Sequence, residues 1–236
     1  DAVAACLRAL RGGPIDWRVG GAAFRLYGEG NGTDTALLLK RRFDPVEIDF
    51  LAAGIRDGVC DGVFVDIGAN VGAYALLVAA ANDWRCRVVA IEPLRLLADR
   101  LEDNGRFSAF EGLTVIRHAV GDSEGTIALA VDPANLGATT AAKQGGVPVP
   151  VRPLAAALKD AGVERIGALK IDVEGFEDRV LVPFFRDADA KAWPGRVVIE
   201  HLHRALWQDD CIAAMQSCGY RISAVTRSNT LLSRHH

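Results

Sequence analysis

Val63-Phe64-Val65-Asp66-Ile67-Gly68-Ala69-Asn70-Val71-Gly72, running on into Tyr74-Ala75-Leu76-Leu77, is the stretch that decides the fold. An apolar, β-branched run leads into Asp66, two glycines stand four residues apart, and helix-forming apolar residues follow. That order predicts a buried strand, a tight turn and a helix N-terminus, the opening unit of a nucleotide-binding α/β fold. Gly68 allows the sharp turn, and Gly72 allows helix and strand to approach closely.

A second signal lies twenty residues beyond Gly72, where Arg87-Val88-Val89-Ala90-Ile91 ends in Glu92-Pro93. A carboxylate at that strand end can accept both hydroxyls of an adenosine ribose, so the expected cofactor carries a free ribose diol. A dinucleotide would demand Gly-x-Gly-x-x-Gly, whose bare backbone N–H groups hold a pyrophosphate. Here Asp66 stands at the first glycine position and would repel phosphate, while Asn70 adds a hindering side chain. A cofactor with a cationic centre and no phosphate suits the turn better, and S-adenosyl-L-methionine has both properties.

The 236 residues carry a formal net charge of -3 and are 50% hydrophobic, which fits one α/β domain with an N-terminal extension. We expect residues 1–58 to form a helix/hairpin cap on the core and residues 59–236 to form the cofactor-binding domain. The charge gives no reason to expect nucleic acid, and no apolar run approaches a membrane span. Cys6, Cys60, Cys86, Cys211 and Cys218 form no metal-type pair and read as reduced thiols of a cytoplasmic protein. The expected partner is a small molecule; a homo-oligomer stays open.

Along the chain, Ala2 to Leu10 is expected as a helix and Trp17 to Tyr27 as a hairpin around Gly20-Gly21. Asp34 is expected to cap a helix from Thr35 to Arg42. Asp44-Pro45 starts another, with Val46, Phe50, Leu51 and Ile55 on one face. From Val63 strands and helices alternate, predicting a mostly parallel sheet with helices on both faces. Asp132 to Gly146 has no period and reads as a long lid loop. Ala205 to Cys218 reads as a helix, and Tyr220 to Val225 with Asn229 to Leu232 as a terminal hairpin.

Asp66-Ile67-Gly68-Ala69-Asn70-Val71-Gly72, Glu92-Pro93, Ala119-Val120-Gly121-Asp122 and Lys170-Ile171-Asp172-Val173-Glu174-Gly175-Phe176-Glu177 together resemble the FkbM-type family of S-adenosylmethionine-dependent methyltransferases. The resemblance covers roughly residues 45 to 205. It implies a class I, Rossmann-like sheet of seven strands with an antiparallel end, and O-methylation of a sugar, polyketide or other secondary metabolite. It also implies that Asp66, Gly68 and Asn70 line the methionine end of the cofactor. Glu92 beside Pro93 would hold the ribose, Asp122 would sit near the adenine amine, and Asp172 with Glu174 would face the transferring methyl.

In an open α/β sheet, ligands collect beyond the carboxyl ends of the strands, where Asp66, Glu92, Asp122, Asp172 and Glu200-His201 all stand. An alcohol must lose its proton to attack a sulfonium methyl, so a base or a metal ion is required. Asp172, Glu174 and His201 are the candidate bases. Asp172, Glu200 and His201 are the candidate ligands for magnesium or manganese. His118 and His203 have no supporting context and read as structural. N-methylation of a small molecule or peptide, and a non-catalytic S-adenosylmethionine-binding module, are the alternatives. An oxidoreductase lacks its glycine pattern here.

Overall fold

A computed structural model describes residues 13–27, 30–56, 62–132, 135–141 and 145–234, so the helix expected over Ala2 to Leu10 lies outside the described residues. Strands β1 (Ile15–Val19) and β2 (Ala22–Leu26) pair antiparallel around Gly20 and Gly21, both at positive φ. Helix α1 (Gly32–Leu39) is capped by Asn31, whose side chain accepts the Thr33 N–H. Asp34, the expected cap, is buried and accepts the Tyr27 N–H at 2.8 Å instead, fastening the helix to the end of the hairpin. Helix α2 (Pro45–Arg56) carries proline at its first position. Val46 is exposed rather than on the packed face. Glu47 is buried in its place because its Oε1 accepts from Thr226 Oγ1 (2.6 Å) and Asn229 Nδ2 (3.2 Å).

Every residue of β3 (Val63–Ile67) is buried, because the strand lies inside a sheet covered on both faces. Chain order then gives α3 (Ala73–Ala81), β4 (Arg87–Ile91), α4 (Arg95–Phe107) and β5 (Leu113–Ile116). A second, four-stranded sheet follows: β6 (Ala119–Gly121), β7 (Gly125–Asp132), β8 (Asn135–Ala141) and β9 (Val147–Pro153), in spatial order β6-β9-β7-β8. The chain returns through α5 (Leu154–Asp160), β10 (Ala168–Ile171), α6 (Glu177–Asp187), β11 (Arg196–Glu200), α7 (Cys211–Ser217), β12 (Tyr220–Val225) and β13 (Asn229–Arg234). The main sheet has seven strands in the order β12-β13-β11-β10-β3-β4-β5. It is parallel from β11 to β5, and the β12–β13 hairpin closes it antiparallel. This is the class I, Rossmann-like arrangement.

Side chains of β3 alternate between the faces. Phe64 packs with Phe24, Leu37, Leu51, Leu76 and Leu101, while Val65 and Ile67 pack with Leu154, Ile166, Leu181 and Phe184. The front hairpin and helices therefore share the first core layer. Backbone bonds from Ala23 to Ser108 Oγ (2.9 Å) and from Arg25 to Asn104 Oδ1 (2.8 Å) tie the hairpin to α4.

Two further expectations are corrected. Asp132 to Gly146 is no uniform loop: β8 pairs antiparallel with β7, matching Leu129 to Ala141 and Ala130 to Thr140. The helix expected from Ala205 is a short 3₁₀ turn, Arg204–Leu206, followed by α7. Asp210 breaks the run by capping α7, accepting from the N–H groups of Ile212 (3.1 Å) and Ala213 (3.2 Å). Cys211 is buried in the core, as expected for one face of that helix.

Candidate active site

The turn after β3 is built on a contact that excludes any side chain. Gly68 has φ +75°, and a Cβ there would lie 1.9 Å from the Asp172 carbonyl oxygen. Its N–H and that of Ala69 both donate to the Ile91 carbonyl, at 3.0 and 3.1 Å, locking the ends of β3 and β4 together. Asn70 follows at φ 52°. Its N–H donates to Glu92 Oε2 at 2.9 Å, and its Oδ1 accepts from Val71 N (2.8 Å) and Asn31 Nδ2 (2.7 Å). Glu92 Oε1 accepts the Leu94 N–H at 2.9 Å. Each Glu92 oxygen thus retains a lone pair for a further donor. Burial pushes its carboxyl up to about 7, against the pull of those two N–H groups.

Asp66 is buried at the head of α3, where Oδ2 accepts the Ala75 N–H at 3.0 Å. Its Oδ1 has no hydrogen-bond partner among the described residues. Burial raises its carboxyl to about 6, with the Lys170 ammonium opposing the shift. Gly72 is the left-handed residue before α3 and packs against Leu101, a structural position outside the cavity walls.

Two cavities meet here. The narrower has apolar walls from Ile91, Leu94, Leu97, Val120, Leu129 and Leu136, with Glu92 and Pro93 at one side. The wider, of about 570 Å³, runs from Thr33, Lys40 and Phe43 of the front elements to Glu200, His203 and Asn229. Gly68, Asn70, Asp172 and Glu174 line both. The front helix and the strand β8 thus each close one side of a continuous crevice, and Leu136 of β8 takes the place that the expected loop was to fill.

Beyond β10 the acids gather. Glu174 has φ 55°, an uncommon conformation for a residue with a side chain. The turn is held by Glu177, whose Oε1 accepts from Val173 N (2.8 Å) and Gly175 N (3.4 Å) while Oε2 accepts from Trp207 Nε1 (2.7 Å). Burial raises the Glu174 carboxyl to about 7; Asp172 adds to the shift and His203 opposes it. Asp172 lies 3.1 Å from the buried Lys170 ammonium. Burial lowers that ammonium's proton affinity, but Asp172 and Asp66 outweigh it and the net shift is upward. Glu200 is buried, with Oε1 accepting the Leu202 N–H at 2.7 Å.

Asp66, Gly68, Asn70, Glu92, Pro93, Asp172, Glu174 and Glu200 therefore converge on one crevice. His201 does not join them. Its N–H donates to the Ser228 carbonyl (2.9 Å) and its Nδ1 lies 3.0 Å from Thr230 Oγ1. His203, expected to be structural, takes that place: its Nδ1 is 3.1 Å from Glu174 Oε2 and 3.7 Å from Glu200 Oε2. The 3₁₀ turn after β11 swings it into the cavity, and no period in the sequence marks that. Asp122 lies outside both cavity linings, exposed, with Ser123 Oγ donating to it at 3.0 Å. Of the metal trio, Asp172 and Glu200 come together with Glu177, their oxygens within 4.8 Å of one another, and His201 stays apart. Among the described residues no helix is long and apolar enough to cross a membrane.

Residues 66–222 match the methyltransferase FkbM domain. A stretch of 57 residues is 46% identical to the AMB antimetabolite synthetase AmbE of Pseudomonas aeruginosa, covering 22% of this chain and only 3% of that protein's length. A S-adenosylmethionine-dependent O-methyltransferase from Thermotoga maritima shares the fold, with TM-score 0.50 at 14% identity over 91% of this chain and 74% of that one. An O-methyltransferase from Bacillus cereus in complex with S-adenosylhomocysteine gives TM-score 0.49 at 12% identity over 84% of each chain.

Proposed function

The chain belongs to the FkbM methyltransferase family, and from that premise we propose that it methylates a hydroxyl oxygen of a small molecule, such as a sugar, polyketide or other secondary metabolite. Bound S-adenosylmethionine supplies a methyl group on a sulfonium, an electrophile that needs no further activation. In this reading the apolar cavity takes the adenosine, Glu92 accepts the ribose hydroxyls, and the buried Asp66 faces the methionine end together with Gly68 and Asn70.

The observation that carries the reading is the position of Glu174. It lines both cavities and its proton affinity is lifted to about 7, which suits a group that must accept a proton near neutrality. As the acceptor oxygen attacks, Glu174 takes its proton, and His203 at 3.1 Å offers the route onward to solvent. Asp172, the neighbouring acid that adds to the upward shift of Glu174, lies 3.1 Å from the Lys170 ammonium.

A divalent ion is the weaker reading for this site. Both Glu177 oxygens already accept protein N–H groups, and Asp172 is paired with an ammonium. The test is labelled S-adenosylmethionine offered to a metabolite extract, with mass spectrometry of whatever gains a methyl group, for wild type and Glu174→Gln. Transfer to a hydroxyl that collapses in the variant is the expected result. Undiminished transfer by Glu174→Gln would overturn the role given to that residue.

A further inference from the structure

The turn between β12 and β13 brings two uncharged side chains, Ser228 and Asn229, into the lining of the wide cavity that also holds Glu174 and Glu200. Asn229 is 4% exposed and stands opposite Glu200 in the β11–β13 register, so both side chains leave the same face of the sheet. The turn is tied to β11 by the His201 N–H, which donates to the Ser228 carbonyl at 2.9 Å. It is closed on itself by the Thr226 N–H, which donates to the Asn229 carbonyl at 2.8 Å. Asn229 Nδ2 donates to Glu47 Oε1 on α2 and to Ser228 Oγ, each at 3.2 Å, so both amide hydrogens are used. A carboxylate oxygen accepts, so the amide must keep its NH2 toward Glu47, and Oδ1 is the end left for the cavity. That oxygen accepts nothing from the described residues, and it is not among the partnerless atoms shut off from solvent. Ser228 is half-buried and accepts at Oγ, while its own hydroxyl hydrogen has no acceptor among the described residues. An amide acceptor and a hydroxyl donor thus stand on adjacent residues, held in place from behind.

We propose that Asn229 and Ser228 form a specificity subsite for a second hydroxyl of the methyl acceptor, which donates to Asn229 Oδ1 and accepts from Ser228 Oγ while the hydroxyl to be methylated lies at Glu174. The inference rests on the reading of the cavity as the acceptor site, and it narrows the acceptor to a molecule with two or more hydroxyls. A hydroxyl gives one hydrogen bond and takes another through a single atom. An ammonium only gives, and an ether or ketone oxygen only takes, so each leaves one of the two residues unmet. Neither residue is charged, so recognition here does not depend on the ionisation of Glu174 or Glu200. A site that hydrogen-bonds a substrate hydroxyl discriminates strongly against the analogue that lacks it, because its own polar groups are then left unpaired.

The test compares myo-inositol, with a hydroxyl at every ring position, and cyclohexanol, with one. Transfer from S-adenosylmethionine is followed as S-adenosylhomocysteine formed, at subsaturating alcohol, for wild type, Ser228→Ala and Asn229→Leu. The expected result is a wild-type kcat/KM at least about tenfold higher for myo-inositol, with the ratio falling toward one in both variants. A residue that merely held the fold would lower both rates and leave the ratio where it was. Ser228→Ala keeps the bond between Asn229 and Glu47, so it decides the point if Asn229→Leu fails to fold. Equal kcat/KM for the two alcohols in wild type, or a ratio undiminished in Ser228→Ala, overturns the subsite. If wild type methylates neither alcohol, the pair is compared by the rise in Tm of the protein saturated with S-adenosylhomocysteine. A rise with myo-inositol that exceeds the rise with cyclohexanol and is lost in Ser228→Ala upholds the subsite, and the O-transfer reading then falls alone. An equal rise with cyclohexanol, no rise with myo-inositol, or one that Ser228→Ala retains overturns the subsite.

Discussion

The side-chain amide of Asn31 donates to Asn70 Oδ1 at 2.7 Å, joining the residue that caps the front helix to the turn that lines both cavities. The same Asn70 gives its N–H to Glu92. Front helix, glycine turn and the Glu92 carboxylate are therefore one bonded chain.

Asn31→Ala should lower stability by about 0.5–2 kcal/mol through loss of the cap, and should weaken cofactor binding as Asn70 loses its donor. Asn31→Ser separates the two effects, since serine caps but is too short to reach Asn70. Recovery of the Tm with cofactor affinity still reduced, measured by calorimetry, is the expected pattern.

Glu92→Gln should reduce affinity for S-adenosylmethionine by about ten- to a hundredfold, as befits a hydrogen bond to a charged acceptor worth roughly 1.5–3 kcal/mol. Because burial lifts Glu92 to about 7, wild-type affinity should climb as pH rises from 6 to 8. The variant should show a flat profile, and a parallel climb in both would count against the ribose assignment.

Glu174→Gln should cut kcat by at least a hundredfold while leaving the cofactor dissociation constant unchanged. For wild type the rate should rise with pH through about 7, since the base must be ionised to work. A rate that falls over the same interval would exclude Glu174 as the proton acceptor.

Stability should carry the opposite sign. Burial raises Asp66 from 3.8 to about 6 and Glu92 from 4.5 to about 7, so the folded chain holds more protons than the unfolded one between these values. That contribution is complete below about pH 4 and is lost as pH climbs through 6 and 7. In thermal denaturation without ligand, wild type should lose stability relative to Glu92→Gln as pH is raised from 5 to 8.

Activity should survive a chelator. Persistence of methyl transfer after dialysis against EDTA, with no restoration needed from magnesium or manganese, is the expected outcome. Abolition and rescue by metal would return the site to the reading with Asp172 and Glu200 as ligands.

The central strands were legible because their apolar runs are continuous: Val63–Ile67 and Arg196–Glu200 sit where a sheet covered on both faces demands them. Strand β8 was not, since Asn135-Leu136-Gly137-Ala138-Thr139-Thr140-Ala141 has weak strand character and is defined by its pairing with β7. Glu92 and Glu174 could be found from their place at strand ends. The exchange of His201 for His203 could not, because a single 3₁₀ turn decides which imidazole enters the cavity. Likewise nothing in the sequence marks Glu177 as the acceptor of the Trp207 indole N–H, which the fold brings to it across 30 residues.

The absence of room beside Gly68 has an evolutionary corollary. With the Asp172 carbonyl 1.9 Å from where a Cβ would stand, the part of the shared wall at Gly68 is main chain, and substitution there cannot reshape it. Divergence of acceptor range is then channelled to the opposite wall, to Thr33, Ala36 and Phe43 on the front elements and Leu202 beyond β11. A library randomised at those four positions should yield altered substrate preference with the transfer step intact, whereas diversity introduced at Gly68 should yield only unfolded protein.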